Sequence, residues 1–204
     1  MAWQTKYTPL VNIKVKDNKS LLIDLSFDNN FKELFDKGKL KDNIELNNKV
    51  FWSEEISCWI DFLRQRKPSQ CPDSVLKANS ISLGLRFTDD EHIASLNSLW
   101  RHKNEKTDVL AFPVIDEQIN FPYFECLEIG DIVVSLITAD NQAQEQGHTL
   151  LDESRWLVSH GLLHLLGWDH PNPERQKQML LCQEQLLKNS GNLQKKREQK
   201  KHND

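Results

Sequence analysis

The spacing of apolar and polar positions changes period several times along the chain. "LVNIKVK" (10–16) and "LLIDLSF" (21–27) have the alternating or continuous apolar character of strands, with Asp17 and Asn18 suited to a turn between them. The first of these is an accessory strand or an unpacked arm. In "NKVFWSEEISCWIDFLRQRK" (48–67) the period lengthens: Val50, Phe51, Ile56, Trp59, Ile60 and Leu63 fall near helical spacing, predicting an amphipathic helix that ends before Pro68. "SISLGLRFT" (80–88) returns to strict alternation, with Ile81, Leu83, Leu85 and Phe87 on one side, as in a half-buried strand. Asp89 or Asp90 then caps a helix through "EHIASLNSLWR".

Beyond a charged loop, "VLAFPV" (109–114) and "LEIGDIVVSL" (127–136) predict two further strands, the first stopped by Pro113 and the second bulged at Gly130. From Thr138 the period is helical. It breaks at Gly147 and restarts at Thr149 to run through "LLDESRWLVSHGLLHLL" to Gly167, with Thr149 or Asp152 as N-cap. A last helix, "PERQKQMLLCQEQLLK" (173–188), begins with proline in its first turn. Interleaved strands and helices of this kind predict a single α+β or mixed-sheet α/β domain.

Composition narrows the class. The 204 residues suffice for one substantial core. No stretch reaches the eighteen or so apolar residues of a membrane span, and "MAWQTKYTPL" lacks the apolar block of a secretion signal, so a cytoplasmic protein without membrane contact is expected. Cys58, Cys71, Cys126 and Cys182 form no C-x-x-C pair, which argues against a zinc ribbon or a thioredoxin-like site and predicts reduced thiols used in packing. The net charge of −4 argues against a general nucleic-acid coat protein. Residues 188–204 carry +4, leaving −8 on residues 1–187. That basic end reads as a solvated, disordered tail, or as a local contact for an anionic partner. The expected division is therefore an arm over 1–19, a domain over 20–187 and a tail over 188–204.

The chemistry concentrates in "SHGLLHLLGWDHP" (159–171). His160 and His164, four apart, share a helix face and can direct two imidazoles at one ion. Gly167 lets the chain leave the helix through a left-handed cap, and Trp168 and Asp169 make the turn that brings His170 back toward them. Three neutral imidazoles with a fourth position open describe a catalytic zinc site rather than a structural one. His92, His102, His148 and His202 have no such partners. Asp169 has two readings, a turn residue or an orienting partner of a ligand.

The frame H-x-x-x-H-x-x-G-x-x-H is that of a zinc peptidase, except that Gly161 stands where such a peptidase carries its glutamate base. Losing a general base typically costs about 10²- to 10⁴-fold, so peptide hydrolysis is disfavoured. Zinc nonetheless lowers the pKa of a coordinated water from 15.7 to about 7, and a guanidinium can pair two oxygens of a phosphodiester.

Together with "LNSLWRHKNEKTDVLAFP" (96–113) and "GDIVVS" (130–135), the histidine segment resembles the YbeY-type endoribonucleases, metal-dependent rRNA maturation factors. The similarity spans roughly residues 20–187, and "HGLLHLLGWDH" fits the family pattern H-G-x-L-H-L-x-G-y-D-H with Trp168 in the aromatic place. The resemblance implies a mixed four-stranded sheet packed with helices, and one zinc ion, or another metal such as nickel, held by His160, His164 and His170 at the end of a central helix. It also implies cleavage of single-stranded RNA in 16S rRNA 3′-end maturation and ribosome quality control, with the small ribosomal subunit or its proteins as partner. Arg101 falls on the family's arginine and becomes the candidate phosphate clamp, although an arginine closing a helix also suits the helix dipole. Thr107 and Asp108 match the family's T-D, and Asp131 and Ser135 its GDI-x-x-S, which makes Asp108 and Asp131, with Asp169, candidate supports for the site. Ala111 departs from the family's serine. Two other readings remain: a ribosome-assembly or RNA-binding factor with a structural metal, and a metallohydrolase of other substrates.

Overall fold

The computed structural model describes residues 21–29, 44–66, 71–115 and 126–201, with side chains along the last helix as far as 191. Its elements, in chain order, are β1 (Leu22–Asn29), α1 (Lys49–Arg64), α2 (Asp73–Lys77), β2 (Ser80–Thr88), α3 (Asp90–Arg101), β3 (Val109–Pro113), β4 (Leu127–Ser135), α4 (Leu136–Gln146), α5 (Leu150–Leu165) and α6 (Pro173–Lys201). The four strands form one mixed sheet in the order β1-β2-β4-β3. The β1/β2 and β2/β4 pairs are parallel and β3/β4 is antiparallel, which leaves β3 at an edge.

Alternation decides what each face of the sheet does. Leu25, Ile81, Leu83, Leu85, Phe87, Ala111, Ile132 and Val134 point to one side and are buried in a common core with α1, α5 and α6. On β4 a strict alternation would place Leu127 and Ile132, five apart, on opposite sides. The pairing register slips there, Ser82 facing Glu128 but Leu83 facing Gly130, so that one extra residue is inserted and both side chains reach the core. Gly130 makes this bulge at φ 121°, where an added Cβ would lie 2.1 Å from the Phe112 carbonyl oxygen. The opposite face carries a second, smaller cluster, Leu110 and Val133 under Ile93 of α3, with Leu96 and Phe112 packed against it. Helices α3 and α5 therefore lie on opposite sides of the sheet.

Local signals set most of the helix ends. Asn48 caps α1 by accepting from the Val50 and Phe51 N–H groups, Asp89 caps α3 through His92 N–H, and Thr149 caps α5 through Asp152 N–H. Ser135, at the end of β4, caps α4 and donates its hydroxyl to Asp90, whose carboxylate also accepts from Thr138 and Lys106. That cluster ties the start of α3 to the start of α4 and to the 102–108 loop.

The structure departs from the sequence-based expectation in three places. The short α2 was not anticipated, since five residues are too few to establish a period. The last helix does not stop near Lys188 but continues to Lys201. Its packing also continues past 188: Ser190 is buried, accepts from Trp59 Nε1 at 3.0 Å and from Arg155 at 2.9 Å, and donates to Glu55 at 3.0 Å. The thiols do not all serve packing. Cys71 and Cys182 are buried, and burial pushes the Cys71 thiol up to about 11 against the opposing pull of Arg64, but Cys58 is half-buried and Cys126 exposed. Residues 1–19 and His202 lie outside the described residues.

Candidate metal centre

Helix α5 packs between the sheet and α6, and its C-terminal turn carries the site. The helix ends in a Schellman motif: Gly167 N–H bonds the His164 carbonyl, Trp168 N–H bonds the Leu163 carbonyl, and Gly167 takes φ 83°. The chain reverses there, and the Asp169 carboxylate accepts from His170 N–H at 2.8 Å to hold the turn. One potential ligand atom from each of His160, His164 and His170 lies within 4.8 Å of the other two.

The donor set fits a transition-metal ion. His160 Nε2 and His164 Nε2 are 3.2 Å apart. Two nitrogens each about 2.0–2.1 Å from a tetrahedral ion are separated by about 3.3 Å, so these rings already hold the spacing that bridging requires. Their remaining contacts turn each ring toward that point. His160 Nδ1 lies 3.3 Å from Gln183 Oε1, and His164 hydrogen-bonds the backbone of Trp168.

Burial and mutual repulsion favour the neutral form of the His160 and His164 imidazoles, the form that binds metal. His160 is held below the usual histidine range, chiefly by burial and further by His170, against the Gln183 hydrogen bond and the negative charge of Asp108. His164 is pushed down to about 4 by burial first, then by His160 and His170, against the Trp168 hydrogen bond and Asp169. Between the ordinary value of 6.5 and that value, the unfolded chain binds protons that the native chain refuses. Stability of the metal-free protein therefore rises with pH across this window and is lost as pH falls through it. Melting curves of chelator-treated protein should show a lower Tm at pH 5 than at pH 7.5; a flat or inverted profile would contradict this account.

The three candidate supporting carboxylates are placed differently. Asp108, at the start of β3, accepts from Thr107 Oγ1 and Val109 N–H on one oxygen and from Gln142 Nε2 on the other, and its charge acts on His160. Asp169 acts on His164 through space and otherwise serves its turn. Asp131 is a correction. It alternates with Ile132, which faces α5, so it lies on the other side of the sheet, where its carboxylate drapes over Gly84. Ser135 likewise serves the helix cap rather than the histidines.

Arg101 is the exposed last residue of α3, followed by His102 in the left-handed conformation at φ 57°. Helix α3, which carries Arg101 at its end, lies across the sheet from α5. Ala111, on the face of β3 that packs into the main core, needs no hydroxyl there. The ring of His148, partnerless on the sequence, pairs with the buried Glu153 carboxylate.

The glycine at 161 has a different meaning from the one suggested by the peptidase frame. It faces Ile132 on β4, and an added Cβ would lie 2.8 Å from Ile132 Cγ2. Position 161 points into the core, so glycine is there for close helix-to-sheet approach.

The sequence model of the endoribonuclease YbeY family matches residues 39–191. The chain belongs to this family. It is 51% identical over 142 residues to the endoribonuclease YbeY of Parasynechococcus marenigrum (strain WH8102), covering 70% of this chain and 77% of that one. It is 50% identical over 149 residues to that of Prochlorococcus marinus (strain MIT 9211), covering 72% and 79%. The solution structure of TM1509 from Thermotoga maritima aligns at a TM-score of 0.49 and 19% identity, covering 86% of this chain and 93% of that one.

Within this YbeY-family chain, sequence reasoning missed Gln183, Gln142 and the Trp168 backbone as partners of the site. Gln183 had left one signal, an amide on an apolar stripe between Cys182 and Leu186. Its meaning depends on α6 lying against α5.

Proposed function

We propose that the protein is a metal-dependent endoribonuclease that cleaves single-stranded RNA, acting in the cytoplasm on the small-subunit rRNA, at the 3′ end of 16S rRNA, and in ribosome quality control. Zinc is the proposed ion, with nickel as a chemically acceptable substitute for three imidazoles. The observation that carries the reading is the convergence of His160, His164 and His170, with ligand atoms within 4.8 Å, in a chain whose relatives bear the name endoribonuclease. Among the described residues the cluster contributes three ligands, whereas a structural zinc is normally closed by a fourth protein ligand. This favours catalysis over the assembly-factor reading. Among the described residues no helix is long and apolar enough to cross a membrane.

The bound ion would supply Lewis acidity and a water whose pKa is brought from 15.7 to about 7. The chain's residues do the rest. His160 and His164 present Nε2 from a rigid helix, and burial keeps them unprotonated. Asp108 adds negative charge beside His160, held by Gln142. Arg101 is the proposed clamp for the phosphodiester. A guanidinium there can pair two phosphate oxygens and offset charge gained in the transition state.

Purified protein, loaded with zinc and freed of contaminating nucleases, should cut a single-stranded RNA. Arg101→Ala should lose about 10²-fold or more in kcat/KM while retaining stoichiometric zinc. A loss confined to KM would make Arg101 a binding residue, a loss in kcat a transition-state one, and unchanged cleavage would remove it from the site. Restoration of normal 16S rRNA 3′ ends in cells lacking the protein, by wild type but not by Arg101→Ala, would connect the activity with the rRNA.

A further inference from the structure

Gln183 is fully buried where α6 crosses α5. Its Nε2 donates to the Trp156 carbonyl at 2.7 Å, and its Oε1 lies 3.3 Å from His160 Nδ1. A backbone carbonyl can only accept, so Trp156 decides which end of this amide is the nitrogen and leaves the oxygen facing His160. An amide oxygen also can only accept, so His160 Nδ1 must carry the ring proton. The lone pair is then on Nε2, the nitrogen 3.2 Å from His164 Nε2. Each step follows from a group that has a single hydrogen-bonding role.

We infer that Gln183 is a positioning residue that holds His160 as the Nδ1–H tautomer through an amide oriented by the Trp156 carbonyl, and so selects Nε2 of that ring as the metal ligand. Only the last step rests on the proposed metal site, because the tautomer exists with or without an ion. An amide suits this place better than a carboxylate. A glutamate would set an acceptor against the Trp156 carbonyl and lose the contact that orients the group. Trp156 lies four residues before His160 on α5, so the accepting carbonyl, the amide and the imidazole form one short loop from helix to helix and back.

Two measurements test this. In ¹⁵N-labelled, chelator-treated protein at pH 7.5, the His160 resonances, assigned by their loss in His160→Asn, should show a protonated Nδ1 and an unprotonated Nε2. The reverse tautomer, or an even mixture, overturns the inference. In Gln183→Met, which keeps length and apolar bulk without the amide, zinc affinity measured by competition with a chelator should fall about 10- to 100-fold, the usual range for loss of an outer partner of a ligand. A folded Gln183→Met protein with wild-type zinc affinity also overturns it, and if that variant does not fold, the tautomer measurement decides alone. Wild-type protein that fails to take up zinc but shows the Nδ1–H tautomer would defeat the metal-site reading and leave the role of Gln183 standing.

Discussion

In His164→Ala, zinc binding and RNA cleavage should both fall to background while the protein stays folded. The loss of an outer partner of a ligand costs about 10- to 100-fold in affinity or activity, so loss of a ligand should cost about 10³-fold or more. His164 Nε2 lies 3.2 Å from His160 Nε2 and its ring is tied to the Trp168 backbone, so the substitution removes one of the two helical nitrogens of the proposed site. The same substitution should help the metal-free protein in acid. His164 is the group pushed down to about 4 by burial and by its neighbours. With it gone, part of the proton uptake that favours the unfolded chain below pH 6.5 disappears, and the difference in Tm between pH 7.5 and pH 5 should shrink. Equilibrium dialysis with zinc, gel-resolved RNA cleavage and paired melting curves check the three parts. Stoichiometric zinc together with undiminished cleavage would remove His164 from the site.

The second large effect concerns a substitution that looks like a repair. Gly161→Glu would complete the peptidase frame, yet it should cost about 4 kcal/mol or more and yield no peptidase. Even a Cβ meets Ile132 Cγ2 at 2.8 Å and Cγ1 at 3.3 Å. Overpacking of this sort costs about 1–3 kcal/mol, and a carboxylate buried against an isoleucine without a partner adds several more. Set against a typical domain stability of about 5–15 kcal/mol, that is enough to unfold much of the protein. Gly161→Ala separates the terms. It gains about 1 kcal/mol of helix propensity and still meets Ile132, so a net loss of about 1 kcal/mol is expected. Urea denaturation of both variants measures the two costs. A stable Gly161→Glu protein that turns over peptides would reverse the reading of this position.

These two cases also show where sequence was informative. His160 and His164 were legible because a spacing of four on a helix dictates a shared face, and Gly167 because helices ending in glycine follow a recurrent geometry. The strand over 80–88 and the cap at Thr149 were legible for equally local reasons. Gly161 was misleading because its reason lies on β4, in the methyl groups of Ile132, and only the β4 bulge puts that residue under α5. Asp131 failed for a related reason: adjacent strand residues face opposite ways, and which way depends on the same bulge. Gln183 was unreadable because a buried amide on an apolar stripe acquires a role only from the helix opposite. The end of α6 was missed because the basic, polar run over 188–204, with Gly191 inside it, reads as a disordered tail. One glycine costs a helix about 1 kcal/mol, and Ser190, joined to Glu55, Arg155 and Trp59, anchors the turn just before it.

The Schellman turn at Gly167 divides the site into unequal parts. His160 and His164 ride a continuous helix with their rings tied, one to a buried amide and one to backbone, so their conformational freedom is spent when the domain folds. His170 stands exposed beyond the turn, anchored at its main chain by Asp169. For the proposed ion, ordering that single side chain would be the entropic cost left to binding. Were the proposed ion bound, changes to Trp168, Asp169 or Pro171 would act on this solvent-facing imidazole and leave the helix that carries His160 and His164 undisturbed.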